Sequence, residues 1–504
     1  MIYDLIKKPD ILTLKKIALI CDGNEYTYAE LWTNIKRLSK WIDLNYEKQC
    51  RIGVLLDNCV ESVFVLFAII ISGRICVPID YDINTRNLNF VINDTSIDLI
   101  FTSPKYIHKL KEAKSEFNFD IILTESTRLN KKNKILGDII YSSSFDDFDA
   151  PKINDSLTAS IFYTTGTTGP KKGVMLSHGN LLASTRNINE FMQIKSSTIE
   201  SVPMRISHSF GFARLRCIFD VGGTVILENG LLRPDKVLSN MKLYKANAIS
   251  SVPVGFAIIL GRYKNLFKEI SSQIKHIEIG SSSMREDQKK ILISLCPKAS
   301  ICMHYGSTEA SRATFIEFNL EKNKLHTVGK PSPNVEIKIL TDHKAINHKD
   351  DSGEILIKGK MTSQRYWNNE KLTKQNIISG WIKTGDIGRI DLDGYIHLLG
   401  RKEEIINFGG LKVAPGEIEE VLLKHENIVE AAVIGIKSND IFLTETIKAF
   451  IVINNNDLSV KEIESFCLNN LESYKIPNIF EIISSMPKTN SGKIKKIDLN
   501  KQDL

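Results

Sequence analysis

Eight cysteines, Cys21, Cys50, Cys59, Cys76, Cys217, Cys296, Cys302 and Cys467, form neither a Cys-x-x-Cys pair nor a zinc-like spacing. A disulfide framework and a thiolate metal site are therefore not expected. Several lie in apolar runs, as Cys76 does in Arg-Ile-Cys-Val-Pro-Ile-Asp, where a thiol behaves as a small hydrophobe suited to a reducing cytosol. The N-terminus lacks a cationic start followed by a sustained apolar core, so no secretory signal is expected and the placement is cytoplasmic. The longest apolar stretch, Val63 to Ile71, is too short to span a bilayer and reads as a buried helix, so no transmembrane segment is expected. Basic clusters stop at pairs such as Lys131-Lys132, and a net charge of +7 is spread among acidic neighbours. That pattern carries no stripe for nucleic acid. No internal repeat is present. What remains is an ordinary globular composition, 42% hydrophobic and 25% charged, in 504 residues that suggest about two to four folded units.

The most informative stretch is Tyr163 to His178, fed by an apolar run Ala159-Ser160-Ile161-Phe162 that reads as a buried strand. Gly166 and Gly169 let backbone N–H groups approach a phosphate closely, because no Cβ intervenes. Thr164, Thr165, Thr167 and Thr168 add hydroxyl donors, and Lys171 and Lys172 add cations. A Walker A loop cannot be drawn through these residues, yet the composition suits a polyphosphate.

Around this loop the chain alternates apolar strands with helical patterns. Strands are expected at 51–56, 75–80, 99–102, 120–124, 223–227, 248–252 and 276–280. Helices are expected at 60–72, 235–244 and 285–295. This alternation predicts an α/β fold of two doubly wound sheets. Between about 327 and 400 short alternating strands predict a small antiparallel β unit or barrel. Beyond 401, a helix at 415–425 with Pro415 in its first turn, strands at 429–436 and 447–453, and a helix at 460–471 predict a small α+β unit. The expected domains are 1–400, the large N-terminal part, and 401–504, a mobile C-terminal lid.

Further constellations recur in order. His304-Tyr305-Gly306-Ser307-Thr308-Glu309 offers an aromatic ring, hydroxyls and a carboxylate; Thr384-Gly385-Asp386 places a carboxylate in a turn. Gly400-Arg401-Lys402-Glu403-Glu404 is a charged junction, and Lys493 closes a Gly-containing loop that starts at Pro487. A polyphosphate suits the cationic loop, and a ribose diol suits Asp386. Adenine suits Tyr305 with small neighbours at Ser281, Ser282 and Ser283, and a divalent ion on phosphates suits Glu309. Together they describe an ATP site.

In this order and spacing the motifs resemble the adenylate-forming superfamily of acyl-CoA synthetases, peptide-synthetase adenylation domains and beetle luciferases, over essentially the whole chain. The resemblance implies that Thr165 to Lys172 handles the β- and γ-phosphates and that Ser281 to Ser283, His304 and Tyr305 line the adenine. It implies Thr308 on the α-phosphate, Glu309 on Mg²⁺, and Asp386 and Arg401 on the ribose. Glu403 would be the hinge of the lid, Lys493 the lid lysine bridging ATP and the substrate carboxylate, and Gly409 and Gly410 would enter the site for the second step. Two departures stand out: Lys171 occupies the place of a usual proline, with Pro170 one place earlier, and the hinge is Glu403 where Asp or Lys is common. The implied reaction is AMP-forming: acid and ATP give an acyl-adenylate, and a thiol then takes the acyl group. The implied cofactors are ATP, Mg²⁺ and coenzyme A, in a ligase of the acyl-CoA synthetase type with fatty acid metabolism as one setting. Stand-alone loading of a carrier protein is the alternative acceptor reading, and a non-catalytic nucleotide-binding protein the alternative class.

Val202 to Gly211 resembles the segment lining the acyl pocket, with His208 at a position typical of acyl-CoA synthetases. From Val202 to Cys217 there is no Asp or Glu. A buried α-ammonium would need such a partner, so a fatty, aryl or other non-amino acid is expected. Arg205, Arg214, Arg216 and Arg312 lie in the same neighbourhood, where surface pairing is the expected role, and the alternative is that one of them meets an anionic group on the substrate or on the thiol's phosphate.

Overall fold

The structure is a computed structural model, and it describes residues 11–113, 119–126, 134–142, 145, 148–164, 171–341, 345–346, 352–408, 411–437, 445–454, 458–488 and 493–499. One sheet has eight strands in the spatial order Arg365–Tyr366, Lys172–Ser177, Thr158–Thr164, Ile75–Pro78, Arg51–Leu55, Leu99–Thr102, Asp120–Leu123 and Lys134–Ile135. Its pairings from Thr158–Thr164 to Lys134–Ile135 are parallel, and the two pairings at the opposite edge are antiparallel. Strands such as Ile75–Pro78 and Leu99–Thr102 are buried along their whole length, as parallel strands covered on both faces require.

A second sheet of nine strands carries Ile17–Cys21, Ile199–Val202, Thr224–Leu227, Ala248–Ser251, His276–Ile279 and Ser300–Tyr305 as its parallel part. Antiparallel strands close its two edges. The two sheets share a core. Helix Val60–Ile71 buries every residue from Ser62 to Ile71, and Phe67 packs 5.5 Å from Phe212 and 5.7 Å from Phe219 on helix Ser209–Asp220. An apolar helix of twelve residues thus fills the space between sheets, as its uniform hydrophobicity required.

Residues 335–401 build a curled antiparallel sheet of six strands with a small core around Ile339, Ile355, Ile357, Ile382 and Ile396. From Ile406 onward a hairpin and a three-stranded sheet, with helices Pro415–Leu422 and Val460–Leu468, enclose Val413, Ile418, Leu422, Val433, Ala449 and Ile463. Among the described residues this cluster shares no member with the others. Most expected elements are present with ends shifted by a residue or two, and the helix expected to reach 425 stops at Leu422. Strand Lys172–Ser177 and helix Ser209–Asp220, which bracket the site, have no counterpart in the periodic reading.

Candidate active site

Strand β1 (Thr158–Thr164) and strand β2 (Lys172–Ser177) run antiparallel with Thr164 opposite Lys172, so both ends of the Thr/Gly loop meet at one edge of the eight-stranded sheet. Thr165, Gly166, Thr167, Thr168 and Gly169 themselves lie outside the described residues. The base of the loop is tied down: Tyr163 donates its hydroxyl to Asp94 at 2.5 Å, and Trp367 N–H donates to the Gly173 carbonyl at 2.7 Å. A Cβ at Gly173 would meet Ile161 at 3.0 Å and Tyr163 and Trp367 at 3.1 Å, which leaves little room for a side chain there.

Helix α1 (His178–Met192) continues from β2, capped by Ser177. His208 caps helix α2 (Ser209–Asp220), and its Nε2 lies 2.7 Å from Asp80 Oδ2. Asp80 stands just past strand Ile75–Pro78 of the other sheet, so this contact spans the mouth between the two sheets. Arg205 reaches Asp80 Oδ1 at 2.5 Å and also pairs with Asp82. Burial pushes the Asp80 carboxyl up, but the His208 hydrogen bond and the nearby cations hold it below the usual aspartate value. Asp80 is therefore an ionised anchor for His208 that no motif had singled out.

Strand β3 (His276–Ile279) ends at Gly280, Ser281, Ser282 and Ser283, with Ser281 at φ 77°. Strand β4 (Ser300–Tyr305) brings His304 beneath this turn. A Cβ on Gly280 would lie 2.0 Å from His304 Cε1, so the imidazole packs where a side chain would be. Phe210 holds His304 edge-on at 4.8 Å, and Nδ1 lies 2.8 Å from Glu278 Oε1. Burial and the Arg312 guanidinium lower the His304 pKa, which keeps the ring neutral at pH 7. Gly280→Ala is expected to displace His304 and to destabilise the fold by about 1–3 kcal/mol, the usual cost of overpacking; thermal melting measures it, and an unchanged Tm would mean that the turn shifts freely.

After β4, Gly306 enters a turn closed by Ser307 N–H to the Ala310 carbonyl at 3.1 Å and Ala310 N–H to the Ser307 carbonyl at 3.3 Å. A Cβ at Gly306 would sit 2.5 Å from the Ala310 oxygen, so only glycine fits. Thr308 faces a small cavity shared with Ser209 of α2. Glu309 is steadied by Tyr366 on strand β5 (Arg365–Tyr366), whose hydroxyl donates to Oε1 at 2.9 Å, and β5 pairs with β2 beside the loop. Among the described residues no group of three metal-ligating side chains exists. One carboxylate oriented by the Tyr366 hydroxyl fits Mg²⁺, which takes one or two carboxylates together with substrate phosphates and water.

Strand β6 (Trp381–Ile390) and strand β7 (Ile396–Arg401) place Asp386 directly opposite Arg401. Arg401 Nε lies 2.9 Å from Asp386 Oδ1, and the Tyr305 hydroxyl donates to Oδ2 at 2.6 Å. Burial raises the Asp386 pKa, while Arg401 and Tyr305 oppose it. Lys493, from the far end of the chain, lies within electrostatic reach of Asp386 and Arg401. Partial removal from water, then the Arg401 guanidinium, pull its ammonium below the usual lysine value, and Asp386 opposes them. Glu403 sits exposed on the short turn Lys402–Glu404, whose neighbours are both tied: Lys402 to Glu354 at 2.9 Å and Glu404 to Lys496 at 3.1 Å. Lys496 also reaches Glu419 at 2.7 Å and so fixes the segment that carries Lys493. Gly409 and Gly410 lie outside the described residues.

The structure thus sets Tyr305, Asp386 and Arg401 together with Lys493 in electrostatic reach, places Thr164 opposite Lys172, and ties Glu309 to Tyr366 on the strand that pairs with β2. His208 and Thr308 stand at two borders of α2's N-terminus. Asp80, Glu278, Tyr366 and Lys496 are additions. Asp80 alone had a usable signal, a carboxylate at the carboxyl end of a parallel strand.

Comparison with known proteins follows the same outline. A family model described as AMP-binding enzyme matches residues 12–367, and one described as AMP-binding enzyme C-terminal domain matches residues 417–493. The chain is 28% identical over 509 residues to a long-chain-fatty-acid–CoA ligase of Bacillus subtilis, covering 95% of this chain and 90% of that protein. It is 28% identical over 480 residues to an oxalate–CoA ligase of Arabidopsis thaliana, covering 93% and 92%. ATP-bound MatB from Rhodopseudomonas palustris superposes with a TM-score of 0.89 over 99% of this chain and 98% of that one, at 23% identity, a likeness of fold.

Proposed function

This chain belongs to the AMP-binding enzyme family, and from that premise we infer that it joins a carboxylic acid to coenzyme A with conversion of ATP to AMP and pyrophosphate. It is an AMP-forming acid–thiol ligase, and it uses ATP, Mg²⁺ and coenzyme A. The observation that supports the site reading is the Asp386–Arg401 pair joined by the Tyr305 hydroxyl, with Lys493 from the far end of the chain within electrostatic reach of Asp386 and Arg401.

In the first step the acid's carboxylate attacks the α-phosphorus of ATP and pyrophosphate leaves. Two anions must approach, so cationic groups carry the catalysis. The loop closed by Thr164 and Lys172 would receive the β- and γ-phosphates, Glu309 would hold Mg²⁺, whose charge would offset theirs, and Thr308 would contact the α-phosphate. Asp386 and Arg401 hold the ribose, and Tyr305 with Ser281 to Ser283 lies against the adenine, with His304 supporting them from below. Lys493 bridges the α-phosphate and the attacking carboxylate. His208, oriented by Asp80, borders the acyl group. A thiolate then attacks the acyl carbonyl and AMP departs.

The division into a body of residues 1–400 and a lid of residues 401–504 is supported by the separate apolar core beyond Ile406. Rotation about Glu403 would withdraw Lys493 and admit Gly409 and Gly410, and closure in either pose excludes water from an anhydride that water would hydrolyse. Among the described residues no helix is long and apolar enough to cross a membrane, and we place the enzyme in the cytoplasm.

The two relatives described above are named for a long-chain fatty acid and for oxalate, so the family leaves the acid open. Acid-dependent exchange of labelled pyrophosphate into ATP, screened over a broad panel of acids, tests the reading. At least one carboxylic acid is expected to drive exchange and then to yield a thioester with coenzyme A. Absence of exchange with every acid would overturn acid activation, and transfer to a phosphopantetheinylated carrier protein but not to coenzyme A would overturn the acceptor.

A further inference from the structure

Strand Ile428–Lys437 forms an edge of the three-stranded sheet in the C-terminal unit, so one row of its backbone groups has no ladder partner. Near its start the ladder is also interrupted. The register moves from Ile428 opposite Ile453 to Glu430 opposite Val452, which leaves Val429 as the extra residue of a bulge. The Val429 carbonyl accepts a hydrogen bond from Arg285 Nη1 at 2.7 Å, and Arg285 belongs to the large N-terminal part. The guanidinium is fixed for this contact. Its Nε and Nη2 donate to the two Asp287 carboxylate oxygens at 3.0 and 3.2 Å, which orients the planar fork and leaves Nη1 to reach Val429.

Both ends of this bond lead to the site. Arg285 stands two residues past Ser283, directly before helix Glu286–Leu295, so its backbone continues the Ser281–Ser283 turn. On the other side, the residue after Val429 carries the link onward. Glu430 Oε1 lies 2.5 Å from Lys488 Nζ, Lys488 pairs with Ile494 in an antiparallel bridge, and Lys495 N–H donates to the Pro487 carbonyl at 2.8 Å. Ile494 is the neighbour of Lys493. A run of short contacts thus joins the turn beside His304 to the segment that carries Lys493. We propose that Arg285 is a positioning residue for adenylate formation: it seats the bulge at Val429 and, through Glu430 and Lys488, sets Lys493 where ATP and the acid meet. The inference rests on the assignment of Lys493 given above. Arg285 precedes the hinge at Glu403 and Val429 follows it, so rotation of the lid breaks this bond and the second step proceeds without it.

The test is single-turnover kinetics on the full-length enzyme. Adenylate formation, from ATP and an acid that drives exchange, is measured apart from thioester formation from supplied acyl-adenylate and coenzyme A. Arg285→Met keeps the length of the side chain and removes its donors. It is expected to slow the first half-reaction by about 10-fold and to leave the second within about threefold of wild type. Arg285→Lys, which keeps one cationic donor, is expected to recover part of the loss. Lys488→Met breaks the same route from the other unit and is expected to show the same asymmetry; it decides in place of Arg285→Met should that variant not fold. A cycle with Lys493→Ala then separates this route from any other. Because Arg285 acts through Lys493, adding Arg285→Met to Lys493→Ala is expected to cost less than about twofold more. Losses that multiply would overturn the proposal, and so would an equal loss in both half-reactions, which marks a structural role. Wild-type adenylate formation in Arg285→Met would overturn it and leave the Lys493 assignment standing. Wild-type adenylate formation in Lys493→Ala would overturn both.

Discussion

Lys493→Ala is expected to slow adenylate formation by about 10²- to 10³-fold, the loss that follows removal of one preorganised group from a reacting oxyanion. Thioester formation from supplied acyl-adenylate is expected to stay within about threefold of wild type. The asymmetry follows from charge. In the first step a carboxylate must approach a triphosphate, and the cation we assign to meet both is Lys493, within electrostatic reach of Asp386 and Arg401. In the second step pyrophosphate has left and the attacked carbon is neutral, so the same ammonium has little to offset. Single-turnover measurement of each half-reaction separates them. Equal losses in both would show that Lys493 holds the lid in general and would end its assignment to the first step. Lys496→Ala sharpens the comparison: its bonds to Glu404 and Glu419 fix the segment without reaching the cluster.

The ion-pair cluster around Lys493 was partly legible in advance, and the reason is local. Asp386 and Arg401 each follow a glycine, a pattern that reads as a turn in the sequence, but the structure places both on facing strands of the six-stranded sheet, whose register sets them opposite each other. Sheets and buried helices were legible because continuous apolar runs such as Val63 to Ile71 allow little else. Helix Ser209–Asp220 was not, because Arg214 and Arg216 occupy buried positions where periodicity expects apolar residues. The partners of Arg214, Glu200 and Glu278, lie in strands that are distant in sequence, and Arg216 donates to the Leu181 carbonyl and to Thr185 on another helix, so only the folded chain explains them. Asp80 escaped notice for the same reason: its meaning depends on His208, which arrives from another sheet. Charge that is neutralised across the fold looks, in one dimension, like charge that belongs on the surface.

That buried network carries the largest stability effect. Glu278 lies 2.8 Å from Arg214 Nη1 and 3.0 Å from Arg312 Nε, and all three side chains are essentially inaccessible. Burial alone would raise its pKa, yet Arg312 and Arg214 hold it well below the usual glutamate value. Its stabilisation is therefore complete above the unfolded-state value and is lost only as pH falls through the depressed one. Glu278→Met is expected to cost about 3–5 kcal/mol, because Arg312 keeps its charge with no carboxylate left to face it. Arg214 loses less, since Glu200 still binds it through Nε at 2.8 Å and Nη2 at 2.6 Å. The double variant Glu278→Met/Arg312→Met removes one charge of each sign, and a coupling of about 1–3 kcal/mol should return part of the loss. Chemical denaturation of the four variants in the cycle measures it; additive losses would mean that Arg312 is served by the Phe210 carbonyl and not by Glu278. Exchange activity should not return with stability, because His304 loses its carboxylate at 2.8 Å in both variants and with it the anchor beneath Gly280. A double variant that regained stability and full activity together would show that the network only holds the core, and that His304 needs no help to support the turn above it.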